Sequence, residues 1–337
     1  MRAVLKQFIK PALVSLASSV GPHTRTGQHP RLWLLMYHRI LPDYDERYCQ
    51  EEPGMLVRPE TLEMHIQEMK RQFDLMPFAE WVRLSQAGLP VPTRACAITF
   101  DDGWLDNYEY AFPVLRAHSA PATLFAVAEK IGTDFQFWPN ILAVLLLHGA
   151  KKELEQHAVF QPYTHKLTDK ITADQVAEVI QRVKAHIDVD IFAALEQLNW
   201  RALCGRYAGG MPPALMNWDQ LREMRQSGLV DVGSHTCTHR RLTDALSPAE
   251  LEYEIIHSKD VLERRLRSPV DLFCFPNGDY NDLALSLVKQ HYRASVTTQR
   301  GINRADKLNI HELTRIGLHD EVSSSRRLFR ARLSGWV

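Results

Sequence analysis

Ala97-Ile98-Thr99-Phe100-Asp101-Asp102-Gly103 decides how the rest of the chain is read: an apolar run suited to a buried strand ends in two adjacent carboxylates and a turn glycine. Neighbouring carboxylates at a strand end repel each other and lose hydration on folding, so a cation or hydrogen-bond donors must hold at least one of them. Further along, Leu229 to Gly233 is a second strand-like run, and it leads into Ser234-His235-Thr236-Cys237-Thr238-His239. Histidines four apart can face one side of a helical turn and converge on an ion. Asp102, His235 and His239 then make three ligands and leave a coordination position for water, the pattern of a catalytic zinc rather than a structural one. Asp101 is left free to act as a base. Each half is ambiguous alone, since the triplet is a favoured turn and the histidine spacing arises by chance among fifteen histidines. Together they gain weight because both follow strand-like runs, and sites of parallel α/β folds gather at strand ends. Cys237, between the histidines, is expected to point away from the ion and pack.

Outward from these motifs the chain alternates. Leu32 to Met36 is another continuous apolar run, and Pro59 opens a helix with Leu62, Ile66, Met69 and Phe73 on one stripe. Tyr108 to Ala117 reads as a helix with a bend or start at Pro113, followed by a strand from Ala122 to Val127. Asn217 with Gln220 and Ser247 with Glu250 mark capped helix starts, and Gly228 stops a helix before the histidine-bearing strand. The repeat of strand, loop and helix predicts an α/β fold, a distorted (β/α) barrel of about seven parallel strands over residues 31–320. Residues 133–213 interrupt it with mostly helical signals. There Thr172 and Gln175 resemble a capping box, and Val176, Val179, Ile180, Val183 and Ile187 recur at helical spacing. The plain expectation is a helical insertion with its own packing. The alternative is a lid over the cleft built from Phe135, Phe137, Trp138 and Trp218.

Composition narrows the functional classes. A hydrophobic content of 45% beside 24% charged residues supports a full core and excludes compositional disorder. Forty basic and forty acidic residues cancel, so no global charge recruits nucleic acid, and none is expected as a partner. Cys49, Cys96, Cys204, Cys237 and Cys274 are odd in number and unpaired in spacing, which argues for reduced thiols and a cytoplasmic setting. Arg2, Lys6 and Lys10 precede a short apolar stretch in the order of a secretory signal, but the core is short, so a periplasmic or secreted protein stays open. Residues 1–30 read as a lead segment and linker. In residues 321–337, Arg326, Arg327, Arg330 and Arg332 alternate with Leu328, Phe329, Leu333 and Trp336. That basic amphipathic tail is either a docked helix or a peripheral membrane contact.

Taken in order, Thr99-Phe100-Asp101-Asp102-Gly103, Ser234-His235-Thr236-Cys237-Thr238-His239 and Phe273-Cys274-Phe275-Pro276-Asn277-Gly278-Asp279-Tyr280 resemble the three leading motifs of the polysaccharide deacetylases, carbohydrate esterase family four. The same domain occurs in nodulation-type chitooligosaccharide deacetylases. Leu35-Met36-Tyr37-His38-Arg39 resembles the first strand of a bacterial branch, and the likeness spans residues 31–132 and 214–320. It implies the same barrel, a divalent metal, zinc before others, on Asp102, His235 and His239, and Asp101 as base. It also implies that the Asn277 backbone N–H helps hold the tetrahedral oxygen while Phe275 and Tyr280 wall a sugar pocket.

Two positions depart from the family pattern. An arginine that orients the base often opens the third motif, and here Cys274 stands there; Arg315 is the candidate substitute. The final motif supplies a general acid. Here it matches only in part, with His319 as the candidate and His38 as the alternative.

The chemistry expected of this set is hydrolysis of an acetamide, which requires an activated water, a stabilised oxyanion and a protonated leaving nitrogen. The expected activity is removal of N-acetyl groups from amino sugars of a cell-surface or exported glycan, or of a lipid-linked sugar, with release of acetate. The rivals are a hydrolase of a non-sugar amide on the same barrel and a catalytically silent carbohydrate-binding homologue.

Overall fold

In strand β1 (Arg31–Tyr37), Leu32 and Leu34 point one way and Trp33, Leu35 and Tyr37 the other, yet all five are fully buried. β2 (Arg94–Phe100) repeats this, with Ala95 and Ala97 on one face and Cys96, Ile98 and Phe100 on the other. Strands buried on both faces are the mark of a parallel sheet covered by helices. The computed structural model, which describes residues 13–25, 27, 29–168 and 170–337, shows that sheet closed on itself. The expected Arg2, Lys6 and Lys10 lead lies outside the described residues.

The remaining barrel strands are β3 (Ala122–Ala126), β4 (Val230–Ser234), β5 (Leu272–Cys274), β6 (Ala294–Arg300) and β7 (Leu313–Gly317). All seven run parallel in chain order, and β1 closes the ring by pairing with β2 from Arg31↔Arg94 to Tyr37↔Phe100 and with β7 at Leu35↔Ile316. Two-residue strands at Asp74–Leu75 and Asn303–Arg304 flank it.

Small and large residues share the barrel interior. Ala95 and Ala97 make room for Phe125, and Gly233 is required beside it, since a Cβ there would sit 2.5 Å from the Phe125 ring. α1 (Pro59–Gln72) buries Leu62, Ile66 and Met69 against the outside of the sheet, as the stripe predicted, and α2 (Phe78–Gln86) sets Phe78 and Trp81 in the same cluster as the interior strands.

Within residues 133–213 lie helices including α3 (Trp138–Leu147), α4 (Ala173–Val183), α5 (Asp188–Gln197) and α6 (Trp200–Ala208). They bury a cluster of their own, with Leu142, Leu145, Val179, Ile180, Val183 and Leu195 at its centre. The Thr172 capping box is present in full.

The C-terminal helix α7 (Arg326–Leu333) is docked. Phe329 and Leu333 are buried, the Phe329 ring stacks on His65 at 4.1 Å, and Trp33 Nε1 donates to the Leu333 carbonyl at 2.9 Å. Arg330 pairs with the buried Glu68 at 2.7 Å. The tail is therefore packed on the domain: of the apolar stripe, Phe329 and Leu333 are taken up by the core, Leu328 is partly buried and Trp336 is exposed.

Candidate metal centre and its cavity

The loop after β2 turns sharply. Asp102 has φ 74° and Gly103 φ 86°, a left-handed pair that redirects the Asp102 side chain at the carboxyl end of the barrel. The loop after β4 does the same with Thr236 at φ 67° and His239 at φ 66°. The two histidines thus meet through a pair of left-handed residues rather than through the helical turn that their spacing suggested. Both imidazole Nε2 atoms lie 3.3 Å from Asp102 Oδ1. The ligand atoms of Asp102, His235 and His239 all fall within 4.8 Å of one another.

Partners behind these groups fix how they face. His235 Nδ1 lies 2.8 Å from the Cys274 carbonyl, a contact only its N–H can satisfy, so in the neutral ring Nε2 presents a lone pair. Trp104 Nε1 donates to Asp102 Oδ2 at 2.8 Å. Oδ1, though buried, has no hydrogen-bond partner, because its contacts to the imidazoles miss hydrogen-bond geometry. A buried carboxylate oxygen without a donor, facing two ring nitrogens, is a set of lone pairs that fits a divalent cation. Burial alone would raise the Asp102 pKa, and positive charge on the facing imidazoles more than reverses this, the part that a cation between the three groups would take when the rings are neutral.

Asp101, 2% exposed, receives Arg315 Nη1 and Nη2 on its two oxygens at 2.7 Å each. Arg315 is itself fully buried and is tied to the Thr297 carbonyl at 2.9 Å and Thr99 Oγ1 at 3.1 Å. Cys274 Sγ sits 3.2 Å from Arg315 Nη2, so the guanidinium from β7 reaches the space beside residue 274. Burial pushes the Asp101 carboxyl up, but the Arg315 charge and hydrogen bonds outweigh it and hold the group below its usual range. His38 Nε2 stands 3.8 Å from Asp101 Oδ2 at the cavity wall. Burial lowers the His38 pKa, with Asp101 opposing, so the ring favours its neutral form.

These groups open into a cavity of about 490 Å³ lined by both the barrel and the helical insertion. Asn277 lines it, in the left-handed region at φ 55°. Phe275 and Tyr280 do not. They pack on each other at 4.3 Å, Phe275 fully buried and the Tyr280 hydroxyl donating to Glu312 at 2.6 Å, so they support the third loop from beneath instead of walling a sugar. His319 is also outside the lining residues. β7 ends at Gly317, and His319 becomes the residue before a short helix, with its Nδ1 engaged by Glu321. Phe135, Phe137 and Trp138 do reach the cavity, whereas Trp218 lies against Gly132 beneath Arg265.

Several supporting residues had no signal in the sequence reading. Arg39 is buried, hydrogen-bonded to Asp106 at 2.7 Å and to Glu51 at 2.5 Å, and its guanidinium stacks 4.0 Å from the Trp104 ring that orients Asp102. Glu254, within the π-helical turn Tyr253–His257, accepts the backbone N–H groups of Cys237 at 3.0 Å and Thr238 at 2.9 Å and so clamps the histidine loop. Cys237 is buried there with its Sγ on the Tyr253 carbonyl, a packing role. The sequence carries one hint of this network in Asp106, an acidic residue four beyond Asp102.

The barrel and its site correspond to a known family. The chain matches the polysaccharide deacetylase family over residues 88–191 and 190–294, and it belongs to that family. It is 23% identical over 307 residues to YxkH of Bacillus subtilis (strain 168), whose name places it among polysaccharide deacetylases, covering 89% of this chain and 76% of that one. It is 25% identical over 208 residues to the poly-β-1,6-N-acetyl-D-glucosamine N-deacetylase of Staphylococcus epidermidis, covering 58% of this chain and 69% of that one. The solved Streptococcus pyogenes deacetylase PplD, in complex with acetate, shares the fold with a TM-score of 0.58 at 20% identity, over 90% of this chain and 99% of that one.

Proposed function

We propose that this protein is a zinc-class N-deacetylase that hydrolyses the acetamide of an N-acetylated amino sugar in a cell-surface or exported glycan. The observation that carries the reading is the donor-free, buried Oδ1 of Asp102 set 3.3 Å from two histidine Nε2 atoms. The Staphylococcus epidermidis relative, named for a poly-N-acetylglucosamine substrate, supports the choice of sugar.

Asp102, His235 and His239 would hold a divalent ion, which would supply Lewis acidity toward water and toward the acetamide carbonyl near neutral pH. The remaining work belongs to side chains of this chain. Asp101, ionised and aimed by its two bonds from Arg315, takes the proton from water entering the cavity. Asn277 lines the cavity, and its backbone N–H is the proposed donor for the oxygen that gains charge. His38, beside Asp101 and neutral at rest, takes over the water proton from Asp101 and passes it to the leaving nitrogen, which returns both side chains to their starting states; the sequence had offered this part to His319 first. Water is consumed, the C–N bond breaks, and acetate and a free amine leave.

The silent-homologue reading rests on the missing third-motif arginine and the imperfect final motif; Arg315, paired with Asp101 and 3.2 Å from Cys274 Sγ, answers the first, and His38 is the proposed answer to the second. Acetate release from N-acetylglucosamine oligomers, measured beside small cyclic amides and beside Asp101→Asn, tests the reading. Acetate from the sugars that is lost in the variant supports it; turnover of the cyclic amides alone refutes it.

A further inference from the structure

The helical insertion meets the rim of the barrel at two separated places. Lys184, which follows α4, pairs at 2.6 Å with Glu52 in the segment after β1, and Asn140 of α3 donates to Glu51 beside it at 3.0 Å. Asp188, at the start of α5, meets Arg241 beyond the histidine loop after β4 at 3.6 Å. The insertion therefore bridges from the β1 loop to the β4 loop across the part of the rim that carries Asp102.

An aromatic wall fills the space under this bridge. Phe137 packs edge-on against His239 at 5.3 Å and tilts over Trp104 at 4.5 Å. Phe135 meets Phe137 at 5.0 Å, and Phe192 of α5 meets Phe135 at 5.9 Å. The wall thus begins in contact with a proposed metal ligand and runs outward into the insertion. On the opposite side the cavity is lined by Asn277 and Thr298, from the loop after β5 and from β6, where no insertion stands.

We infer that this enzyme acts on a terminal or single N-acetylated sugar unit and not on internal residues of a glycan. The inference rests on the deacetylase reading above and adds the geometry of its substrate. An internal unit carries chain on both sides, so it needs a groove with two open ends. Here the insertion's side of the cavity is lined by the Phe137–Phe135–Phe192 wall, held in place by the Lys184, Asn140 and Asp188 contacts, with Trp200 and Arg201 beyond it, so glycan chain on that side would have to cross the insertion. A cavity of about 490 Å³ lies within the roughly 300–1,000 Å³ range of pockets that enclose a small ligand.

The test uses the full chain, zinc-loaded, with β-1,6-linked N-acetylglucosamine oligomers labelled at the reducing end. Acetate is assayed, and the position of each free amine is read by tandem mass spectrometry. The expected result is a free amine confined to one terminal unit, with kcat/KM per molecule varying by less than about threefold with length. Amines at internal units, or kcat/KM rising in proportion to length, would overturn it. The double variant Asp188→Asn, Phe192→Ala opens the wall without touching the proposed catalytic groups and is expected to release internal amines. Strictly terminal products from that variant would show that the wall is not the cause. No acetate from any oligomer would overturn the deacetylase reading itself and this inference with it.

Discussion

Arg315 reaches from β7 into the barrel and closes a two-pronged ion pair on Asp101 at the end of β2, both contacts 2.7 Å and both residues buried. Its Nη2 touches Cys274 Sγ at 3.2 Å, so the charge expected at position 274 arrives from another strand. Arg315→Met leaves a carboxylate buried without its partner, which costs about 3–5 kcal/mol of stability and roughly 100-fold or more in kcat. Because the two positions adjoin, Cys274→Arg in that background is expected to restore part of both losses. Urea unfolding and acetate release on the single and double variants check this, and a double variant no better than the single one contradicts it.

The ion pair also sets a pH response. The folded-state carboxyls of Asp101 and Asp102 both lie below their ordinary 3.8, despite burial, through Arg315 and through the two histidines respectively. A depressed carboxyl contributes stability that is complete above the unfolded value and is lost as pH falls through the folded one. Stability is therefore expected to decline from pH ~5 downward in the wild type. In Arg315→Met the decline is expected to shrink and the acid limb of kcat/KM to move to higher pH. Denaturation midpoints and rate profiles across that range measure both.

Trp104 offers its one side-chain N–H donor to Asp102 Oδ2 and is itself held by the stacked Arg39 guanidinium. Trp104→Phe keeps the aromatic contact with Phe137 and removes the donor. Loss of such an outer partner weakens metal binding roughly 10- to 100-fold. Arg39→Met, which frees the ring while leaving its N–H intact, is expected to act in the same direction more mildly. Zinc dissociation constants for the two variants give the readout, and unchanged affinity in Trp104→Phe contradicts the assigned role.

His38 and His319 separate cleanly. His38→Ala is expected to lower kcat by about 100- to 10,000-fold with zinc still bound, the range for a general acid or base. His319→Ala, removed from the cavity and paired with Glu321, is expected to leave turnover within about twofold of the wild type. The reverse order of effects would return the proton donor to the final motif.

The parts of this site that were legible in the sequence share one property: their chemistry is local. Asp101 and Asp102 announce themselves at the end of an apolar run, and the strand runs announce the ladder that brings His235 and His239 alongside. The helix starts at Thr172, Asn217 and Ser247 were readable because a cap is satisfied within three residues. What was not legible depends on backbone hand or on distance along the chain. The histidine spacing suited a helix, but left-handed Thr236 and His239 bring the rings together instead. Phe275 and Tyr280 fell on the supporting side of the third loop because Asn277 turns left-handed between them. The Arg39–Asp106–Glu51 network joins residues up to 67 apart, and no local pattern marks such a pairing.

Zinc binding to the full chain tests the central claim most directly, by titration calorimetry with elemental analysis on the wild type and on Asp102→Asn, His235→Ala and His239→Ala. One ion per chain is expected in the wild type. Each variant is expected to weaken binding by more than the roughly 100-fold that loss of an outer partner can cost, with acetate release falling in step. Equal zinc affinity in Asp102→Asn, or acetate release that survives complete metal removal, would contradict the claim that these three side chains hold the ion on which the reaction depends.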